Sequence, residues 1–117
     1  MARVVHLALS VEDLDNASSF LEKVLGFSVI PTKKSRESGL TMTDGEINVA
    51  VNRCRAGESP NINHFGVEVE DVDNFVAEMR KHGYESLYAP GATKLRAPGG
   101  ILVEIVPIGS KPGIRAR

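Results

Sequence analysis

The sequence predicts an α+β fold of two successive βαβββ modules, and three features carry that expectation. An eleven-residue pattern occurs twice. Each copy runs into an apolar stripe at helical spacing that stops at a glycine. Short strand-like runs separated by turn residues follow each glycine. His6-Leu7-Ala8-Leu9-Ser10-Val11-Glu12-Asp13-Leu14-Asp15-Asn16 returns as His64-Phe65-Gly66-Val67-Glu68-Val69-Glu70-Asp71-Val72-Asp73-Asn74, a constant offset of 58 from 6 to 64 and from 16 to 74. Six of the eleven positions are identical and five of those six are polar, so hydrophobic patterning alone does not account for the repeat.

Each copy opens with an apolar segment that contains the histidine and reads as a strand. The Glu-Asp-x-Asp-Asn that follows supplies a helix N-cap, and its acidic charge suits the positive end of the helix dipole. Leu14, Ala17, Leu21, Val24 and Leu25 form the stripe of helix one; Val72, Phe75, Val76 and Met79 form that of helix two. Gly26 and Gly83 stand where the helices should end, each followed by an aromatic residue, Phe27 or Tyr84. Further strands are expected over about Ser28–Thr32, Gly39–Thr43 and Glu46–Asn52, with Asp44-Gly45 as a hairpin turn. In the second copy they fall at about Glu85–Tyr88, Thr93–Arg96 and Ile101–Val106, with Pro98-Gly99-Gly100 as the turn.

One domain of residues 1–117 is expected, with module one at about 1–54, module two at about 61–108 and a tail from 109 to 117. Arg53–Asn63, carrying Gly57, Ser59 and Pro60, reads as the linker. With no Trp, two Tyr and four Phe, the core falls to Val, Ile and Leu. A formal net charge of −1 argues against a nucleic-acid or membrane-surface partner. No apolar run approaches a membrane span, and a lone cysteine, Cys54, excludes an intrachain disulfide. A cytoplasmic protein acting on a small molecule is the expectation.

The repeat keeps its histidine, so His6 and His64 occupy equivalent places in the two modules. On the last strand, Glu104 is a carboxylate inside the apolar run Ile101–Val106, and such a charge is costly unless paired or coordinated. Two imidazoles and one carboxylate form a facial ligand set suited to Fe(II), Mn(II), Ni(II) or Zn(II), with positions left open for substrate. His6, His64 and Glu104 are therefore the expected metal ligands. Taken singly, each has a plainer reading, as a hydrogen-bonded histidine or an ion-paired glutamate.

His82 reads as a surface residue capping helix two, where a cation suits the dipole. Arg53 and Arg55 flank Cys54, a setting able to lower its thiol pKa, but with no partner deducible from the sequence Cys54 reads as incidental. Lys33-Lys34-Ser35-Arg36 reads as a solvated loop that would meet an anionic substrate if it folded over the site.

In these residues the chain resembles the vicinal oxygen chelate superfamily of glyoxalase I, extradiol dioxygenases, fosfomycin-resistance and bleomycin-binding proteins. The motifs are His6–Leu14, Val24-Leu25-Gly26-Phe27, His64–Val72 and Pro98–Ile105, together spanning nearly the whole chain. The resemblance implies paired βαβββ modules in a cupped mixed sheet around one divalent metal ion, with ligands matching His6, His64 and Glu104. It implies a homodimer, an association that also suits open sheets with exposed edges. Chemistry of the lyase, isomerase or dioxygenase kind follows from it, the alternative being a metal-independent drug- or metabolite-binding protein.

Within the superfamily no branch fits fully. Glyoxalase I enzymes carry an anionic ligand on the last strand of module one. Here that place falls on Asn48 when aligned on Glu104, or on Ala50 when aligned on the turn. Asn48 is expected as a weak ligand or substrate contact. Extradiol dioxygenases add acid–base residues for which only Tyr84 and Tyr88 are at hand, and the hydroxyl that fosfomycin-resistance enzymes place two residues past the first histidine is Ala8 here.

Overall fold

The computed structural model describes residues 2–33, 35–84 and 94–114. The α+β expectation holds for them. In chain order they form β1 (Arg3–Val11), α1 (Leu14–Lys23), β2 (Ser28–Val29), β3 (Gly39–Thr43), β4 (Asn48–Arg53), β5 (Asn61–Val69), α2 (Val72–Lys81), β6 (Lys94–Arg96), a single 3₁₀ turn at Pro98–Gly100 and β7 (Leu102–Pro107). The strand expected at Glu85–Tyr88 and the residue Tyr88 lie outside the described residues.

The described strands make one mixed sheet in the order β2-β3-β4-β1-β5-β7-β6. β1 runs parallel to β4 and β5 runs parallel to β7, while β1 and β5 pair antiparallel at the centre. The repeat thus becomes a pseudo-twofold arrangement, each copy keeping its last strand beside its first.

Local chemistry sets the element ends. Asp13 and Asp71 cap the helices, each side chain accepting a hydrogen bond from the backbone three residues on, Asn16 N at 2.9 Å and Asn74 N at 3.0 Å. Helix α1 closes earlier than its apolar stripe suggests. Val24 N and Leu25 N both donate to Phe20 O, Phe27 N donates to Leu21 O, and Val24 and Leu25 are left exposed. Strand β4 begins at Asn48, because the Asp44 side chain accepts from the Glu46 and Ile47 backbone and withdraws both from the ladder. β5 reaches back to Asn61, which pairs with Ser10, so the last three residues of the expected linker are strand.

Alternation then sorts the side chains onto two faces. Leu40, Met42, Val49 and Val51 pack with Leu14 and Leu21 of α1. Val67, Val69, Val103 and Ile105 pack beside Val72, Phe75 and Met79 of α2. Leu14, Met42 and Val51 are fully buried, each worth about 1.5–3 kcal/mol over exposure. The opposite face carries the other parity: His6, Ala8, Ser10, Asn48, His64, Gly66, Glu104 and Lys94. The helices cover the apolar face, and the polar face is left for chemistry. No helix among the described residues is long and apolar enough to cross a membrane.

Candidate metal centre

One row of the polar face crosses four strands. Asn48 of β4 is opposite His6 of β1, His6 is opposite Gly66 of β5, and Gly66 is opposite Glu104 of β7. His64 lies two residues before Gly66, opposite Ala8. The antiparallel pairing therefore sets the two histidines diagonally, with ring centroids 5.2 Å apart. The structure brings together all three expected ligands: one ligand atom from each of His6, His64 and Glu104 lies within 4.8 Å of the others.

Neighbouring groups prepare each donor. Asn48 Nδ2 donates to Pro112 O at 2.9 Å, which turns its Oδ1 toward His6 Nδ1 at 2.6 Å. Because that oxygen only accepts, His6 Nδ1 carries the proton and the His6 Nε2 lone pair faces the cluster. Asn63 Oδ1, 2.7 Å from His64 Nδ1, sets the same tautomer there. His64 Nε2 is buried with no hydrogen-bond partner. Burial lowers the His6 pKa and Lys111 acts the same way, against the opposing effects of Asn48 and Glu104. His64 is pushed down to about 4, by burial first and Lys94 next. Burial alone would raise Glu104, but Lys111 and the two histidines outweigh it and hold the carboxyl below its ordinary value. At neutral pH the set is two neutral imidazoles and one carboxylate, the protonation states that metal ligation requires.

Gly66 makes room for this arrangement. A Cβ there would stand 3.0 Å from His6 Cβ and 3.2 Å from its Cδ2. The sequence carried a signal for it, since the residue two past each histidine is small, Ala8 or Gly66. Lys111 carried none. Its Nζ lies 2.8 Å from Glu104 Oε1, an ion pair made without a well-directed hydrogen bond at that oxygen.

Asn48 has both amide atoms engaged within the chain, with His6 and with Pro112. The parallel ladders decide which residue mirrors Glu104: Ala8 pairs with Ala50 as Gly66 pairs with Glu104, so the counterpart is Ala50, which bears no donor. His82 is the exposed C-cap of α2. Arg36 turns away to Asp15 of α1 at 3.3 Å instead of folding over the site. The Cys54 thiol pKa is raised, not lowered, by partial burial and by Glu58 and Glu12; the flanking arginines do not set it.

Beside His64 opens a cleft of about 400 Å³ whose wall includes Ser10, Arg53, Arg55, Glu58 and Lys94. Donors at one end of a polar cleft suit capture of a small molecule alongside a cation.

The family model described as Glyoxalase/Bleomycin resistance protein/Dioxygenase superfamily matches residues 3–105. A probable trivalent organoarsenical cleaving enzyme of Bacillus subtilis (strain 168) is 25% identical over 87 residues, 74% of this chain. The match spans only 59% of that relative's length. Among solved structures, methylmalonyl-CoA epimerase from Mycobacterium tuberculosis superposes with a TM-score of 0.69 at 17% identity, covering 89% of this chain and 86% of its own. A mutant 4-hydroxymandelate synthase from Streptomyces coelicolor gives 0.77 at 22% identity, covering 93% of this chain and 38% of its own. At such identities these structures speak for the fold alone.

Proposed function

The chain belongs to the Glyoxalase/Bleomycin resistance protein/Dioxygenase superfamily, and on that premise we propose that it is a divalent-metal-dependent enzyme acting on a small substrate through adjacent oxygens. His6 Nε2, His64 Nε2 and a Glu104 carboxylate oxygen would hold the ion, Fe, Mn, Ni or Zn. The observation that carries the reading is that His64, whose buried Nε2 has no partner, offers a ligand atom within 4.8 Å of those from His6 and Glu104. A buried polar atom without a partner costs about 1–3 kcal/mol, and a bound cation offsets that cost.

A bound divalent ion supplies Lewis-acid polarisation to oxygens that approach it. The chain's own groups do the rest. Asn48 and Asn63 hold the imidazole protons away from the cluster, Gly66 leaves His6 its space, and the cleft beside His64 receives the body of the substrate. Lyase, isomerase or dioxygenase chemistry is compatible with this set. Cleavage of a trivalent organoarsenical, the reaction in the curated relative's name, is less well supported. Trivalent arsenic is a soft centre that seeks thiolates, and the one cysteine, Cys54, has a raised pKa.

A second reading rests on Lys111. Its ammonium already neutralises Glu104, as it would in a protein that binds drugs or metabolites without a metal. Exposed Phe20, Val24, Leu25 and Val29, together with the sheet edge that β2 forms among the described residues, support a homodimer.

Titration of the chelated, metal-free protein with Mn(II) and Zn(II) separates the readings. The metal-dependent reading expects one ion per chain, and Glu104→Gln should weaken its affinity at least about tenfold. Absence of binding by the wild-type protein to either metal would leave the metal-independent reading standing.

A further inference from the structure

The tail beyond β7 crosses the polar face as a strap. Gly109 N donates to Glu68 Oε2 at 3.3 Å, Asn48 Nδ2 donates to Pro112 O, and Thr43 Oγ1 donates to Gly113 O at 3.2 Å. Backbone on both sides of Lys111 is therefore anchored, and only its side chain is free to swing. That side chain now lies on Glu104, with a quarter of its surface exposed. From the opposite edge, Lys94 of β6 stands in register with Glu104 and shares the cleft wall with His64.

A divalent ion, one carboxylate and two neutral imidazoles carry a single net positive charge, and the Lys111 ammonium raises it to two. Among the described residues, the buried Glu68 on this face is paired with Arg3 at 3.7 Å, and Glu58 shares its wall with Arg53 and Arg55, so neither reverses the sign. A neutral chelating ligand would leave that charge uncompensated in a partly buried site. An anionic one would offset it.

We propose that Lys111 is a substrate contact that selects anionic chelating ligands, such as α-hydroxy and α-keto carboxylates, and that it yields Glu104 when the triad holds a metal ion. The inference rests on the metal-dependent reading. Lys111 then has two opposed effects: it competes with the metal for Glu104, and it pairs with the charge of the ligand that follows.

Lys111→Met keeps the length and apolar stem of the side chain and removes only the charge. Mn(II) affinity is read by equilibrium dialysis. Oxalate, a dianion with adjacent oxygens, is then titrated into each Mn(II)-loaded protein, its ligation followed by the Mn(II) resonance spectrum. Thermal melts confirm that each protein is folded. In Lys111→Met, Mn(II) should bind more tightly and oxalate at least about tenfold less tightly, while Lys111→Arg should retain oxalate affinity. Undiminished oxalate affinity in Lys111→Met overturns the role of Lys111 and leaves the metal reading intact. Failure of wild type and variant alike to bind Mn(II) removes both.

Discussion

Replacing Gly66 by alanine tests the link between backbone geometry and the candidate metal centre. The added methyl would meet His6 Cβ at 3.0 Å, Cδ2 at 3.2 Å and Cγ at 3.4 Å. Directly opposed Cβ atoms in a sheet ordinarily stand about 4.5–5.5 Å apart, so His6 must move. Its ring is pinned by the 2.6 Å contact with Asn48 and offers little slack. Overpacking of this kind costs about 1–3 kcal/mol. At this length each kcal/mol lowers the melting temperature by about 4 °C, a drop of about 4–12 °C. Metal affinity should fall at least about tenfold as Nε2 leaves its place. Calorimetric melts of the metal-free protein and Mn(II) titration read the two effects separately. Gly26→Ala is the matched control. Its φ of +79° makes alanine strained, but nothing lies within 4 Å of the new methyl, so it should lose stability and keep metal affinity. If Gly66→Ala melts and binds Mn(II) like wild type, the argument that this glycine houses His6 is wrong.

Two further outcomes are expected. Asn48→Ala leaves His6 Nδ1 without its acceptor; metal affinity should fall about 10–100-fold and stability by about 1–3 kcal/mol, whereas Asn48→Gln should recover part of both if the amide acts on the imidazole. In chelator, stability should decline as pH falls from 6.5 toward 4. The unfolded His64 takes up its proton near 6.5 while the folded one resists to about 4, so the unfolded state is favoured across that interval. The loss from His64 is at most about 3 kcal/mol; His6 adds in the same direction, and His64→Gln should flatten the profile. A urea-melt series showing no slope between these pH values would contradict the buried, neutral state assigned to His64.

What the sequence by itself determined is local or repeated. The 58-residue repeat located both histidines, the Asp13 and Asp71 caps and the helices that follow, because caps and apolar stripes act within a few residues. Glu104 stood out as one charge in an apolar strand. Side-chain competition with the backbone shifted the predicted ends, as where Asp44 draws Glu46 and Ile47 out of β4. Long-range register lay beyond the pattern. Irregularities between Val4 and His6 and between Ala8 and Leu9 set how β1 meets β5, and with it the diagonal placing of the two imidazoles opposite Gly66 and Ala8. Sequence alignment left Asn48 and Ala50 as rival counterparts of Glu104; only the parallel ladders choose Ala50 and place Asn48 against His6. Lys111 was the least legible residue, sitting in a tail with no periodicity. Its contact with Glu104 depends on the strap crossing the sheet, and contacts that close over such distances are made by the folded chain as a whole.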